Sequence, residues 1–469
     1  MRKSRKTTSN MGRIYSHYHD GINVELIKAG RLDNDENVFT VIVGKNGVGK
    51  SRLLAEIVKA NAEERLELSN FGSSARKAIV WSGEPKVIAV STSPFDKFPP
   101  RRKADIEGNT NYRYVGMRTE GLYQPSSAVS LISSAAKGLL DQLLVQSAGH
   151  NLLSVFESLS FSPVVDFIFK PGYLRSKSGV FVVDIIEDPS LEIELRNLDR
   201  DYGIRVDERY FGSLRSLTLS QRHKVIHSMI KVNKFLAHRK AVELTVNFAG
   251  GLSRLDGVVT DDSFIESVLI LMNAGLMRLM DLKLQKEGYG ELSLKRASSG
   301  EQCLLVLMLG IAGHITDGSL VLIDEPEISL HPRWQEEFMM MLMKSFASYK
   351  GCHFIIATHS PQVIARLNSR ACFITSLSKH RIYDAEEFYQ RSADYQLAEL
   401  FDAPGIMNEY ISRLAFNLLA RVKANKAVSE ESSLDLERLL ALDVQVERGD
   451  PVKELINSVA EVCKHYANN

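Results

Sequence analysis

The sequence predicts an α/β protein in which a mostly parallel sheet is split by a mixed α/β insertion and followed by a mainly helical tail. Three observations predict it. A β-branched run at 38–43 passes through a glycine-rich turn into a helical pattern, short apolar runs return at 319–323 and 353–358, and the pattern between them is of a different kind. Parallel strands covered on both faces read as continuous apolar runs, which is what all three segments show.

The 469 residues allow two or three domains, or one large domain with insertions. With 44% hydrophobic and 25% charged residues, composition excludes a wholly disordered, collagen-like or disulfide-scaffold chain. Lys and Arg total 58 against 57 Asp and Glu, so net charge is silent about partners and leaves nucleic acid open. Cys303, Cys352, Cys372 and Cys463 do not stand at zinc or redox spacing, and a reducing cytoplasm is the expected location. The basic N-terminus lacks an apolar segment and no long apolar run occurs, so neither secretion nor a membrane partner is expected.

Taken in order, residues 38–43 (Val-Phe-Thr-Val-Ile-Val) read as a buried strand, and Leu53, Leu54, Ile57 and Val58 continue at helical spacing. Apolar runs at 77–81 and 87–90 read as further strands of a first lobe, 1–118. The insertion, 119–290, combines helical stretches at 128–158 and 213–238 with strand-like pieces at 180–186 and 242–248, and lacks the sustained heptads of a coiled-coil arm. A second lobe, 291–382, resumes the sheet, and 383–469 reads as charged and helical. An aromatic and histidine cluster at Tyr15, His17, Tyr18, His19 and Asp20 reads as a half-exposed strand edge, and Met339, Met340, Met341, Met343 and Trp334 as packing.

The residues that carry chemistry lie at the ends of the predicted strands. Gly44-Lys45-Asn46-Gly47-Val48-Gly49-Lys50-Ser51 fits the full phosphate-loop pattern, with Arg52 following inside the helix. Glycines let successive N–H groups converge on phosphate, the helix N-terminus adds its positive end, Lys50 reaches the β and γ oxygens, and Ser51 can ligate Mg²⁺. Asp324 ends the 319–323 run as the metal-side carboxylate, and Glu325 beside it is placed to polarise a water. Ser298-Ser299-Gly300-Glu301-Gln302 opens an apolar helix; alone it reads as an N-cap, or as an anion site. His359, in Ala-Thr-His-Ser-Pro, ends the last run.

In that order these motifs resemble the ABC-type ATPases, in the branch that includes SMC, RecF and OLD-like proteins. The likeness covers 38–60 and 292–367 and little between. It implies an ABC-type P-loop head that binds ATP and Mg²⁺, with Ser299 and Gly300 as the signature turn, Glu325 as the catalytic base, 329–332 as the loop facing the opposite site and His359 as the γ-phosphate switch. Ser298 and Glu301 depart from the usual signature, and the lid glutamine has no clear counterpart in Ser91-Thr92-Ser93-Pro94-Phe95-Asp96. The Asp-Glu-Pro-Glu-Ile-Ser-Leu-His-Pro form is most similar to stand-alone anti-phage ATPases of the Septu type. That likeness implies a homodimer or higher even-numbered oligomer acting with a separate nuclease, of HNH or TOPRIM type. The alternatives it leaves are an OLD-like nuclease or a DNA-repair ATPase.

Overall fold

The structure is a computed structural model. It describes residues 12–28, 30, 32–62, 86–99, 111–117, 127–144, 149–174, 188–236, 241–250, 252–255, 257–259 and 262–467. The runs expected to be strands at 77–81 and 180–186 lie outside them.

A seven-stranded sheet runs, edge to edge, through Arg381–Asp384, Cys372–Ser376, Val38–Val43, His353–Ala357, Leu320–Asp324, Val87–Ser91 and Tyr112–Val115. All neighbours are parallel except the first pair. The three central strands are buried at every residue, which accounts for their mostly apolar sequences. Alternate side chains feed two cores. Ile42, Leu322 and Ile355 meet Leu53, Leu54, Ile57 and Val58 of the helix Lys50–Asn61 on one face. Val41, Val321 and Phe354 point to the other, where the helix Ser299–Ala312 lies. That helix is apolar nearly all round and is buried at 11 of its 14 residues, as a central helix must be.

The insertion builds a six-stranded antiparallel sheet in the order Gly290–Ser293, Met277–Lys286, Phe161–Pro171, Val242–Asn247, Leu252–Leu255, Val258–Val259. Its inner residues Phe167, Leu244 and Leu282 belong to the same apolar cluster as Val41 and Met308, so the two sheets share one core. The helix Ser127–Leu144 joins them. At its crossing with the end of helix Ser299–Ala312, a Cβ on Gly313 would stand 2.5 Å from the carbonyl carbon of Gly138. The two backbones meet there with no room for a methyl group.

A buried histidine ties the N-terminal segment to the sheet. His353 is fully buried, and Thr40 Oγ1 donates to the Leu26 carbonyl, so His353 Nε2 (2.9 Å away) donates to Thr40 and Nδ1 accepts from the Ile14 N–H. Burial holds its pKa down to about 3, which keeps that tautomer neutral. The tail is helical as expected, with Glu409–Asn425, Glu430–Asp443 and Pro451–Ala467 packed around a cluster of their own that includes Leu418, Leu439 and Ile456. The four cysteines are free and buried. Among the described residues no helix is long and apolar enough to cross a membrane.

The Gly138–Gly313 crossing makes a clear prediction. Gly313→Ala is expected to force the two helices apart and cost about 1–3 kcal/mol by overpacking, read as a lower urea midpoint. An unchanged midpoint would contradict the close approach.

Candidate functional site

The phosphate loop, the acidic pair and His359 sit where parallel strands end, because strands in register finish at one edge of a sheet. Val43, Asp324 and Ala357 close the three central strands, with Asp324 paired in register to Ala357 and Ala357 to Ile42. The phosphate loop leaves Val43 with Gly44, Gly47 and Gly49 at φ 147°, 80° and 105°, all in the region L side chains avoid. The helix Lys50–Asn61 starts with no side-chain cap, so its first N–H groups stay available to an anion. Two of the glycines also have close neighbours: a Cβ on Gly44 would fall 2.9 Å from Ser378 Oγ, and one on Gly49 2.9 Å from His19 Nε2. Lys45, Asn46 and Gly47 are exposed at the tip, while Val48 is half-buried under it.

Lys50 reaches back over the loop. Its Nζ donates to the carbonyls of Gly44 (2.7 Å) and Lys45 (3.0 Å) and lies 3.1 Å from His359 Nδ1. Burial lowers its pKa to about 8, although Glu327, Glu325 and Asp324 all pull the other way. His359 is lowered to about 4 by burial and by the Lys50 charge, so its ring is neutral at physiological pH. With Nδ1 accepting from Lys50, the ring proton is on Nε2, which faces Glu325 Oε1 at 3.4 Å.

Ser51, one residue into the helix, donates from Oγ to Asp324 Oδ1 at 3.0 Å. Asp324 is buried, and desolvation raises its pKa to about 7, with further upward pressure from Glu325, Asp96 and Glu327 and only the Ser51 bond opposing. A hydroxyl and a buried carboxylate side by side are the oxygen donors a Mg²⁺ ion accepts. The crowding of Asp324 by Glu325, Asp96 and Glu327 fits a site whose charge balance a divalent ion would complete. The strained loop, the uncapped helix and this donor pair fit Mg²⁺·ATP. Glu325 follows at φ 50°, its N–H bonded to the Ala357 carbonyl at 2.9 Å, so the carboxylate turns out of the sheet beside His359.

The signature turn lies elsewhere. Ser298 and Glu301 form a reciprocal capping box, which uses the two residues that depart from the usual motif to start the helix. Ser299 is exposed, and Gly300 is buried so tightly that a Cβ would stand 2.9 Å from the Ser329 carbonyl and 3.2 Å from the Trp334 ring. The structure therefore brings Lys50, Ser51, Asp324, Glu325 and His359 together, and sets Gly300 against Ser329 and Trp334 while Ser299 stays exposed.

Two contributions escape sequence reasoning. Glu327 Oε1 accepts from the His359 N–H at 2.6 Å, bringing a third carboxylate to the loop. His19, on the hairpin Ser16–His19/Ile22–Glu25, is buried against Gly49 with Nδ1 2.6 Å from Glu56 Oε2, while Asp20 pairs with Arg52. The half-exposed edge expected there is observed, with Tyr18 exposed, and it also braces the phosphate-loop helix. Met339 is buried and Met340 exposed, the others lying between.

The Asp324 pKa has a consequence for stability. An unfolded aspartate gives up its proton near pH ~4, whereas the folded, metal-free protein holds this one until about 7. Between those values the folded state binds the extra proton, so the stability it contributes is complete below the lower value and is lost as pH rises through the upper. In EDTA, Asp324→Asn is expected to melt above wild type at pH 8, with the gap closing as pH is lowered. Parallel curves at all pH would contradict the buried, strained carboxylate.

A family model described as "AAA domain, putative AbiEii toxin, Type IV TA system" matches residues 262–365, the stretch that holds the signature turn, Asp324, Glu325 and His359. The chain is 37% identical over 102 residues to the "Retron Ec83 probable ATPase" of Escherichia coli, across 19% of this chain and 18% of that one. It is 33% identical over 101 residues to the "Retron Vc95 probable ATPase" of Vibrio cholerae serotype O1 biovar El Tor, 19% of each. "Protein ea59" of Escherichia phage lambda is 35% identical over 328 residues, 69% of this chain and 45% of its own length. The chain thus spans about a fifth of the two retron relatives and under half of the phage protein. Sheet order, strand-end chemistry and the matched stretch agree: a mostly parallel α/β sheet carries a phosphate loop at one edge, with residues 262–365 similar to an AAA domain, and is split by a mixed α/β insertion and followed by a helical tail.

Proposed function

We propose that the chain is a Mg²⁺-dependent ATPase whose sites are completed between two copies, and that it regulates a separate nuclease in a bacterial anti-phage system. The observation that carries the catalytic part is the 3.0 Å contact between Ser51 and Asp324, beside the chain of contacts that runs from Lys50 through the His359 ring to Glu325. Bound Mg²⁺ supplies charge neutralisation at the β and γ phosphate oxygens. Ser51 and Asp324 are the residues that would hold it. Lys50 offsets phosphate charge, and Glu325 accepts the proton of a water whose oxygen bonds to the γ-phosphorus as the bond to the ADP oxygen breaks. His359, neutral and carrying its proton on Nε2, donates towards charge that grows in the transition state.

Support for two copies comes from the signature turn. Ser299 is exposed at a helix N-terminus, where a hydroxyl and free N–H groups suit an anion, and its neighbour Gly300 lies against Ser329 and Trp334. We read it as facing the nucleotide of a second copy. The defence reading rests on the Asp-Glu-Pro-Glu and Ala-Thr-His-Ser-Pro motif forms and is consistent with the retron ATPases among the relatives. The nuclease partner, HNH-type or TOPRIM-type, follows from the same likeness to Septu-type ATPases.

Three preparations test this reading. Lys50→Ala is expected to lose nucleotide binding, and Ser299→Arg to bind nucleotide without turnover. Mixed under conditions that allow exchange, the two are expected to recover part of the phosphate-release rate, since a mixed dimer holds one site with neither defect. Glu325→Gln, which binds without hydrolysing, sets the baseline. No recovery despite demonstrated exchange would refute shared sites, and turnover by Glu325→Gln would remove that residue as the base.

A further inference from the structure

Two loops meet at the site: residues 325–330 after the strand Leu320–Asp324, and residues 358–361 after the strand His353–Ala357. They belong to neighbouring strands, and the last backbone bond between those strands is the one from the Glu325 N–H to the Ala357 carbonyl, at the first residue of the first loop. What joins them beyond that edge is a small set of side chains. Glu327 Oε1 accepts the His359 N–H at 2.6 Å. Gln335, from the helix Pro332–Ser345, accepts the Ser360 hydroxyl on Oε1 at 2.7 Å and donates from Nε2 to the carbonyls of Leu330 (3.0 Å) and Glu327 (3.4 Å). One amide thus binds both loops, and one carboxylate reaches from the first loop to the backbone of the histidine in the second.

The arrangement is costly unless it does something. Glu327 Oε2 is buried and has no hydrogen-bond partner among the described residues, a penalty that a solvent-facing residue would avoid. Glu325 and Ser329 are held at φ 50° and 66°, so the first loop has a fixed, strained path. Ser329 presses on Gly300, which sets that path against the helix Ser299–Ala312.

We propose that Glu327 and Gln335 form a clasp that makes the two loops one rigid unit and so holds the His359 ring between Lys50 and Glu325. They are positioning residues: they act through His359 and do not touch the phosphate. The clasp rests on the ATPase reading for its purpose, though not for its existence. Without it the segment 358–361 keeps the Thr358 N–H bond to the Ile42 carbonyl, but His359 itself is held by its ring alone among the described contacts, and a shift of about 1 Å at the reacting group is enough to cost on the order of 10²-fold in rate.

The test uses full-length protein. Gln335→Met keeps the volume and removes the bonds; Glu327→Ala removes the acceptor and Glu327→Gln restores a neutral one. Gln335→Met and Glu327→Ala are expected to lower kcat about 10- to 100-fold with nucleotide affinity within about twofold of wild type, and Glu327→Gln to recover most of the rate. In a His359→Ala background Gln335→Met is expected to have no further effect, because the clasp has nothing left to position. Amide exchange of the nucleotide-free protein is the second readout. Glu327→Ala is expected to speed exchange at 358–361 by about tenfold while the central strands stay protected. Additive losses in the double variant, or unchanged exchange at 358–361, would overturn the clasp. If wild type proves unable to hydrolyse ATP, the ATPase reading fails, and the exchange result still decides whether the clasp exists.

Discussion

The register of the parallel strands is the constraint on which the rest depends. Val38–Val43, His353–Ala357 and Leu320–Asp324 are hydrogen-bonded side by side, so the phosphate loop emerges at one edge with the acidic pair and the histidine loop although Ser51 is 273 positions from Asp324 and Lys50 is 309 from His359. A slip of one residue in either pairing would turn Asp324 or Ala357 to the opposite face. That register is secured by burial on both faces, through Ile42, Leu322 and Ile355 on one side and Val41, Val321 and Phe354 on the other. The apolar core thus fixes where the charged residues can be.

The site concentrates buried charge. Burial works against the Lys50 ammonium and the Asp324 carboxylate alike, and three carboxylates crowd one edge. Lys50 is satisfied for the moment by two loop carbonyls and the His359 ring. On the proposed reading, a triphosphate with a divalent cation would supply both the negative charge that faces Lys50 and the positive charge that faces Asp324.

Much of this was legible in the sequence because it lies in contiguous motifs. Residues 44–51 state their own backbone path through their glycines, and Asp324, Glu325 and His359 each follow an apolar run that declares a buried strand. Contacts that need the fold to be known first were not legible. Glu327 meets His359 across 32 positions and Gln335 meets Ser360 across 25, and neither pair has a local pattern to announce it. His19 reads as one of several polar residues in a strand edge until Gly49 is seen beside it. The strand Phe161–Pro171 was obscured for a different reason: it contains Pro163 and ends on Pro171, which are loop signals locally but are tolerated where pairing is irregular. The capping box of Ser298 and Glu301 shows that the altered signature still begins its helix, leaving Ser299 and Gly300 in place.

The central claim is that Ser51 and Asp324 form a cation site that is complete only when nucleotide is bound. The direct measurement is a Mn²⁺ titration followed by electron paramagnetic resonance, with and without ATP, on the Glu325→Gln protein so that nucleotide is not consumed. The account predicts one tightly held Mn²⁺ per chain with ATP, little without it, and loss of the ATP-dependent ion in Asp324→Ala. Mn²⁺ bound equally well without ATP, or unaffected by Asp324→Ala, would contradict it.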